Sequence, residues 1–95
     1  MIYIVARYEV KKEKLSEVLN AVREFVRNVK KHEKGTVRYE AYQEDEQVSF
    51  IHFMIFKDEK AKKIHESSAY VKTFVDKLYP NCVEEPTFNP LKSIE

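Results

Sequence analysis

The sequence predicts an α+β protein of the ferredoxin-like class, with an antiparallel four-stranded sheet and helices on one face. Three observations predict it: stretches of alternating apolar residues, apolar stripes at helical spacing, and the order in which these occur. That order is β-α-β-β-α-β, the split βαβ arrangement. With 95 residues in all, we expect one domain over 1–95 with a single hydrophobic core.

The first half of the chain supplies a strand, a long helix and a hairpin. Residues 2–10 (IYIVARYEV) alternate and are rich in β-branched and aromatic side chains, which predicts a strand. Residues 11–34 carry apolar side chains at every third or fourth position, which predicts a helix. Gly35, the only glycine, is expected to end this helix in the left-handed conformation. Residues 36–43 and 47–57 predict two strands joined by a short polar turn, hence an antiparallel hairpin.

The second half supplies a broken helix and a final extended segment. Asp58 is a candidate N-cap for a helix over about 59–66, because its side chain can accept from the free amides of the first turn. Ser68 can cap a second piece, which Pro80 stops. Residues 82–94 contain two prolines, so they suit an edge strand or an extended arm and not a central strand.

The third strand is apolar on both faces, which predicts a homodimer. A strand with one solvated face should be polar on that face. We expect the helices to cover one face (Ile51, Phe53 and Ile55) and a second copy of the chain to cover the other (Val48, Phe50, His52, Met54 and Phe56). The dimer would then enclose a pocket for an aromatic small molecule. The alternative is that the C-terminal arm folds over the open face as a lid.

Composition excludes several classes of function. The 17 basic and 16 acidic residues give no basic face for nucleic acid. No apolar run approaches the roughly 18 residues that span a membrane, and we expect no signal peptide, because no basic region precedes the apolar alternation. Cys82 is the only cysteine, so no internal disulfide is expected, and a cytoplasmic location follows as the default. No spacing of metal ligands and no glycine-rich phosphate loop appears, so we expect neither a metal nor another cofactor.

Three segments carry a family resemblance: residues 35–42 (GTVRYEAY), 56–61 (FKDEKA) and 65–74 (HESSAYVKTF). They resemble the antibiotic biosynthesis monooxygenase-like family, in which a glycine precedes an R-Y-E strand, a strand ends in an aromatic and an acidic residue, and A-H-x-x-S-x-H-F-x-x-F follows. The resemblance implies a dimeric α/β barrel and an activity like that of quinol monooxygenases and anthrone oxygenases, which need neither metal nor flavin.

The chain departs from the family at informative positions. Phe56 stands where family enzymes often have Trp, and Tyr70 stands where they often have His. A related branch degrades haem with an Asn, a Trp and a His, but the matching positions here are Arg7, His65 and Val75. Haem degradation is therefore not expected.

Two histidines are candidate catalytic bases, because an imidazole titrates near neutral pH. His52 is the first choice, since it lies mid-strand on the expected pocket face; the alternative is a buried neutral imidazole that only forms hydrogen bonds. His65 occupies the family's first helical His position, although it could instead bond a loop carbonyl. The expected substrate-binding residues are Tyr3, Arg7, Arg38, Tyr42, Phe50, Met54, Phe56 and Tyr70.

These binding residues have plainer alternatives too. The two arginines could pair with Glu9 or Glu40, and Tyr42 and Tyr70 could hold their hydroxyls at a surface. The apolar side chains of Phe50, Met54 and Phe56 could be plain dimer core.

The sequence thus predicts a cofactor-independent monooxygenase that oxidises a quinol or polyketide-like aromatic. The alternative is a non-catalytic small-molecule-binding or regulatory dimer on the same fold, because fold alone does not fix function. An isomerase of small lactones, also known on this fold, is a third possibility.

Overall fold

The predicted ferredoxin-like α+β fold is confirmed by a computed structural model that describes residues 1–94. Its strands form one antiparallel sheet in the order β2-β3-β1-β4. The strands are β1 (Ile2–Glu9), β2 (Thr36–Gln43), β3 (Ser49–Phe56) and β4 (Thr87–Leu91). The helices are α1 (Leu15–His32), α2 (Glu59–Glu66) and α3 (Ala69–Leu78), with short 3-10 turns at Lys12–Lys14 and Tyr79–Asn81.

β4 is an edge strand, as its prolines predict. It pairs with β1 and is exposed along its whole length. The C-terminal segment therefore extends the sheet, and it does not fold over the open face as a lid. In this register Phe88 is the partner of Ala6 and Pro90 is the partner of Ile4.

The ends of the helices follow local rules, with two corrections. Asp58 caps α2 by accepting from the Ala61 amide at 2.8 Å, as predicted. Gly35 does not adopt a left-handed conformation. It is needed for space, because a Cβ there would lie 2.6 Å from the Ala61 Cβ. The Ser68 side chain caps no amide of α3 and instead donates to the Ile64 carbonyl.

A register shift in β2 between Thr36 and Arg38 changes which side chains point toward the helices. Thr36 is paired with Phe56 and Arg38 with Ile55, so the shift falls at the intervening residue, Val37. Val37 is 53% exposed, whereas the Thr36 hydroxyl donates to the buried carboxylate of Glu33.

The expected assignment of the two sheet faces is wrong. On β3 the side chains that pack against the helices are Phe50, His52, Met54 and Phe56, while Ile51, Phe53 and Ile55 lie on the open face and are half-buried. Alternation defines two faces, but it does not say which one the helices cover when both are apolar. The core joins this β3 face to α1 and α3 through Val18, Val22, Phe25, Val29, Phe74 and Leu78.

Within the described part of the chain, no helix is both long and apolar enough to cross a membrane.

Candidate functional site

A cavity of about 480 Å³ lies between the sheet and the helices α2 and α3. It is lined mainly by apolar and aromatic side chains, and a few polar groups converge on it, which is the usual make-up of a small-molecule site. All of these lining residues belong to a single chain, and the enclosure of the pocket by a dimer stays a prediction. The lining includes Ile4, Ala6, Met54, Phe56, Val71, Phe74, Val75, Leu78, Phe88 and Pro90, together with the polar residues Tyr8, Tyr39, His52, Lys62, His65, Glu66 and Tyr79.

One polar group at the cavity is a histidine held by a buried carboxylate. His65 Nδ1 lies 2.9 Å from Glu33 Oε2 and 3.0 Å from Oε1, and both side chains are almost fully buried. The carboxylate accepts the Nδ1 hydrogen, and this contact fixes the tautomer of the imidazole in its neutral form. In that form Nε2 carries the lone pair, and Nε2 has no hydrogen-bond partner among residues 1–94. His65 thus lines the cavity with one ring nitrogen held by Glu33 and the other without a partner in the described part of the chain.

Three chain segments position Glu33. It follows the last turn of α1, and its backbone amide still bonds to the Val29 carbonyl. The Thr36 hydroxyl, turned inward beside the bulge of β2, donates to Oε1 at 2.5 Å. The Tyr70 hydroxyl of α3 donates to Oε2. The two oxygens thus receive hydrogen bonds from β2, α2 and α3.

These contacts keep Glu33 ionised. Burial by itself would raise the pKa of the carboxyl, but the hydrogen bonds from His65, Thr36 and Tyr70 outweigh it and lower the pKa below its usual value. Burial, with the bond to this carboxylate, raises the pKa of Tyr70 to about 12, so Tyr70 keeps its hydrogen and remains a donor.

A second group of polar side chains, joined by hydrogen bonds, lies deeper and spans three strands. The Tyr8 hydroxyl of β1 is 2.7 Å from His52 Nε2, and the Tyr39 hydroxyl of β2 is 2.8 Å from His52 Nδ1. Burial lowers the pKa of His52 to about 4 and raises the pKa of Tyr8 and of Tyr39 above the ordinary phenol value. All three groups are therefore neutral at physiological pH.

Aromatic rings bring the two histidines into one site. Phe25 and Phe74 stack with ring centroids 4.2 Å apart, and both rings lie near His52. The His65 ring lies 5.6 Å from the ring of Tyr39 and 5.1 Å from that of Phe56. A flat ligand in this cavity would contact aromatic surface while within reach of both polar groups.

The predicted site residues divide between the two sides of the sheet. His52, His65, Met54 and Phe56 line the cavity. Phe50 is buried and stacks on Tyr8 at 5.2 Å without lining it. The remaining predicted residue on this side is Tyr70, which acts on the cavity only through Glu33.

The other four predicted binding residues lie on the open face. Tyr3 and Arg7 are register partners of Ile55 and Ile51, so they point away from the cavity. Arg38 donates to Glu40 at 2.9 Å, and Tyr42 donates to the same carboxylate at 2.8 Å. The Arg38–Glu40 contact is the ion pair expected for this arginine if it does not bind substrate.

Sequence reasoning missed Glu33, Tyr8 and Tyr39. Glu33 reads as part of the charged end of a helix, next to Lys31, His32 and Lys34. The one feature that could have indicated Glu33 is its place in the chain between α1 and β2. A residue there lies where the end of the helix packs against the strand that follows. Tyr8 and Tyr39 alternate in phase with apolar neighbours, and that phase was the available sign that their rings are buried.

No group of three or more potential metal ligands (His, Cys, Asp or Glu) occurs among the residues that the structure describes.

Comparison with known proteins gives both a family and several structural relatives. The family model described as antibiotic biosynthesis monooxygenase matches residues 1–77. A crystal structure of an antibiotic biosynthesis monooxygenase superposes with a TM-score of 0.92 over all of both chains, at 19% identity. A conserved protein from Methanosarcina mazei Go1 has 27% identity and a TM-score of 0.87, covering 96% of this chain and 90% of its own.

A third relative, Rv0793 from Mycobacterium tuberculosis, has 13% identity and a TM-score of 0.89, covering 99% of this chain and 95% of its own. No curated protein matches the chain.

Proposed function

The chain belongs to the antibiotic biosynthesis monooxygenase family, and we propose that it is a cofactor-independent monooxygenase whose base is His65, oriented by Glu33. Family membership supports a monooxygenase and an oxidoreductase activity. The observation that carries the finer proposal is the Glu33–His65 pair beside an apolar cavity of about 480 Å³. The proposed substrate class is a quinol or polyketide-like aromatic, which matches the aromatic lining.

The chemistry needs a base more than it needs a cofactor. In an anthrone-like substrate, His65 Nε2 takes a proton from the acidic CH₂ and leaves an electron-rich anion. The anion gives one electron to dioxygen, and the resulting radical and superoxide combine to a peroxide anion, which takes the proton back from His65 and becomes a hydroperoxide. Loss of water converts this to the ketone, so one oxygen atom enters the product and the other leaves as water. Glu33 stabilises the imidazolium that forms in the first step.

His65 suits the base role better than His52, which was the first choice from sequence. Both ring nitrogens of His52 are occupied by tyrosine hydroxyls, and its low pKa makes it a poor proton acceptor near pH 7. His65 has one nitrogen held by an acceptor and the other directed to the cavity, which is the arrangement of an activated histidine.

Oxygen uptake with menadiol or an anthrone tests the proposal. We expect a rate above the buffer blank, and a fall of about 10²- to 10⁴-fold in kcat/KM for His65→Gln. Glu33→Gln should also lower the rate, because its amide no longer stabilises the imidazolium. The matched controls are His32→Gln and Glu24→Gln, both exposed on α1. A wild-type rate equal to the blank, or an unchanged rate in His65→Gln, would rule out this mechanism for those substrates.

The second candidate is a non-catalytic small-molecule-binding or regulatory dimer. The observation that favours it is Tyr70, which replaces the His often found in family enzymes and bonds to Glu33 instead of lining the cavity. Saturable binding of a naphthol without any oxygen uptake would favour this alternative.

We propose that the protein, whether it acts as a monooxygenase or only binds a ligand, is a homodimer formed through the open sheet face. That face carries the half-buried apolar row Ile51, Phe53 and Ile55, with no helix packed over it, and a contiguous apolar surface of this kind often marks an interface. Sedimentation should give twice the mass of one chain, and Phe53→Glu should give a single chain. Ile64→Glu, an exposed position on α2, is the control that should stay dimeric. A wild-type monomer at micromolar concentration would refute the dimer and leave the cavity untouched.

A further inference from the structure

The hydrogen atoms of the Tyr8–His52–Tyr39 chain can be counted. A neutral imidazole carries one N–H and each phenol carries one O–H, so the three groups hold three hydrogens. Two hydrogen bonds join them, through Nε2 to Tyr8 and through Nδ1 to Tyr39, and each bond uses one hydrogen. One hydrogen is left over, and because both nitrogens of His52 are engaged, it lies on a terminal tyrosine.

Which tyrosine carries it depends on the tautomer of His52. If Nδ1 holds the hydrogen, it donates to Tyr39, Tyr8 donates to Nε2, and the Tyr39 O–H is left free. If Nε2 holds the hydrogen, the directions reverse and the Tyr8 O–H is left free. Both tyrosines line the cavity, and neither hydroxyl has another hydrogen-bond partner within residues 1–94. A buried O–H without an acceptor is unfavourable, so the spare hydrogen favours an acceptor inside the cavity.

We propose that the three hydrogen-bonded side chains Tyr8, His52 and Tyr39 act together as a two-ended hydrogen-bond donor. Either Tyr8 or Tyr39 donates to an oxygen of the ligand, according to the tautomer of His52. There is always one free hydroxyl hydrogen, but it can lie on either of the two tyrosines. Since burial keeps His52 neutral above about pH 4 and keeps both phenols protonated, the count holds across the physiological range.

This inference rests on the proposed aromatic cavity and adds a requirement to its ligand. One ligand hydroxyl or acidic C–H faces His65 Nε2, and a second oxygen, as carbonyl, ether or phenolate, accepts from Tyr8 or Tyr39. An aromatic with a single oxygen satisfies only one of the two groups. The cavity should therefore prefer ring systems that carry two oxygens.

Two stable naphthols test the preference in binding, under anaerobic conditions that exclude turnover. 1-Naphthol has one oxygen, and 4-methoxy-1-naphthol adds an ether acceptor. The chain contains no tryptophan, so naphthol emission can be followed without tryptophan fluorescence. We expect wild type to bind the methoxy compound about two- to tenfold more tightly, the worth of one net hydrogen bond.

Variants separate a two-ended donor from a fixed one. Tyr8→Phe and Tyr39→Phe should each keep the preference, because His52 changes tautomer and frees the remaining hydroxyl. The double variant should lose it and bind both compounds alike. Tyr3→Phe, on the open face of the sheet, is the matched control and should bind as wild type does. Loss of the preference in one single variant alone, or its survival in the double variant, would overturn the proposal.

The ¹⁵N shifts of His52 give a second readout that does not depend on the double variant being folded. Tyr8→Phe should show the Nδ1–H tautomer and Tyr39→Phe the Nε2–H tautomer; the same tautomer in both would overturn the proposal. Equal wild-type affinity for the two naphthols would overturn this inference and leave the aromatic cavity standing. Failure of both naphthols to bind would overturn the cavity's proposed function as well.

Discussion

Replacing His52 by glutamine should remove the acid sensitivity that this side chain gives the fold between pH 6.5 and pH 4. The His52 side chain is 2% exposed, and burial holds its pKa at about 4 against an ordinary value near 6.5. In that window the unfolded chain binds a proton at this position and the native chain does not. Stability from His52 is therefore fully present above pH 6.5 and is lost as the pH falls toward 4.

The magnitude follows from the two pKa values. A shift of about 2.5 units corresponds to about 2 kcal/mol lost by pH 5 and about 3 kcal/mol lost by pH 4, relative to pH 7. That is a large share of the roughly 5–15 kcal/mol by which small domains are stable. Glutamine keeps an amide that can bond to a tyrosine hydroxyl, but it does not titrate.

Urea unfolding of both proteins at pH 7, 6, 5 and 4 measures the effect. His52→Gln should be less stable than wild type at pH 7, because one nitrogen's contact is lost, and the gap should close by about 2 kcal/mol at pH 5. Glu33 also contributes acid sensitivity, since its pKa is lowered in the native state, but that contribution is common to both proteins and cancels in the difference. Parallel stability curves across the four pH values would refute the reasoning.

Three further predictions concern single contacts, each measured by urea unfolding at pH 7. Gly35→Ala should destabilise the protein by about 1–3 kcal/mol through overpacking, and Ala61→Gly should restore part of that loss in the double variant because it removes the clashing Cβ; simple additivity would contradict the close approach. Asp58→Ala should cost about 1 kcal/mol through loss of the α2 cap, and no loss would mean the cap is dispensable. Tyr70→Phe should cost about 1–3 kcal/mol because a buried carboxylate loses a donor, whereas Tyr42→Phe, which loses an exposed bond of the same kind, should cost less; equal losses would argue against a role for burial.

Much of the fold was predictable because each element carries its own local signal. The limits of β2 match Thr36–Gln43 as predicted, and the helix that follows β3 breaks just before the second piece that Ser68 was predicted to begin. Gly35 was placed correctly at the end of a helix but for the wrong reason. A backbone angle can be guessed from residue type, whereas a close approach to Ala61, 26 positions later, exists only in the folded chain.

The candidate site was only partly predictable, since it depends on which residues become neighbours. His65 and His52 were found because histidine is rare in this sequence and chemically distinct. Their partners were not found: Glu33 is one of 16 acidic residues, and nothing local separates it from the others. Burial beside His65 makes it different, and burial is set by how α1 ends against β2 and α3.

The error about the sheet faces has a physical cause that also explains the site. Both faces of β3 are apolar, so alternation does not show which one the helices cover, and His52 was predicted on the face away from them. The structure satisfies the same polar group inside, with Tyr8 from the strand on one side and Tyr39 from the strand on the other. Three aromatic side chains that fill the core thus also carry a neutral hydrogen-bond chain. The helices can then cover this face without leaving a buried polar atom unpaired among the residues described. Because Tyr8, His52 and Tyr39 together hold three hydrogens and form two hydrogen bonds, the arrangement that stabilises the core also leaves one donor for the cavity.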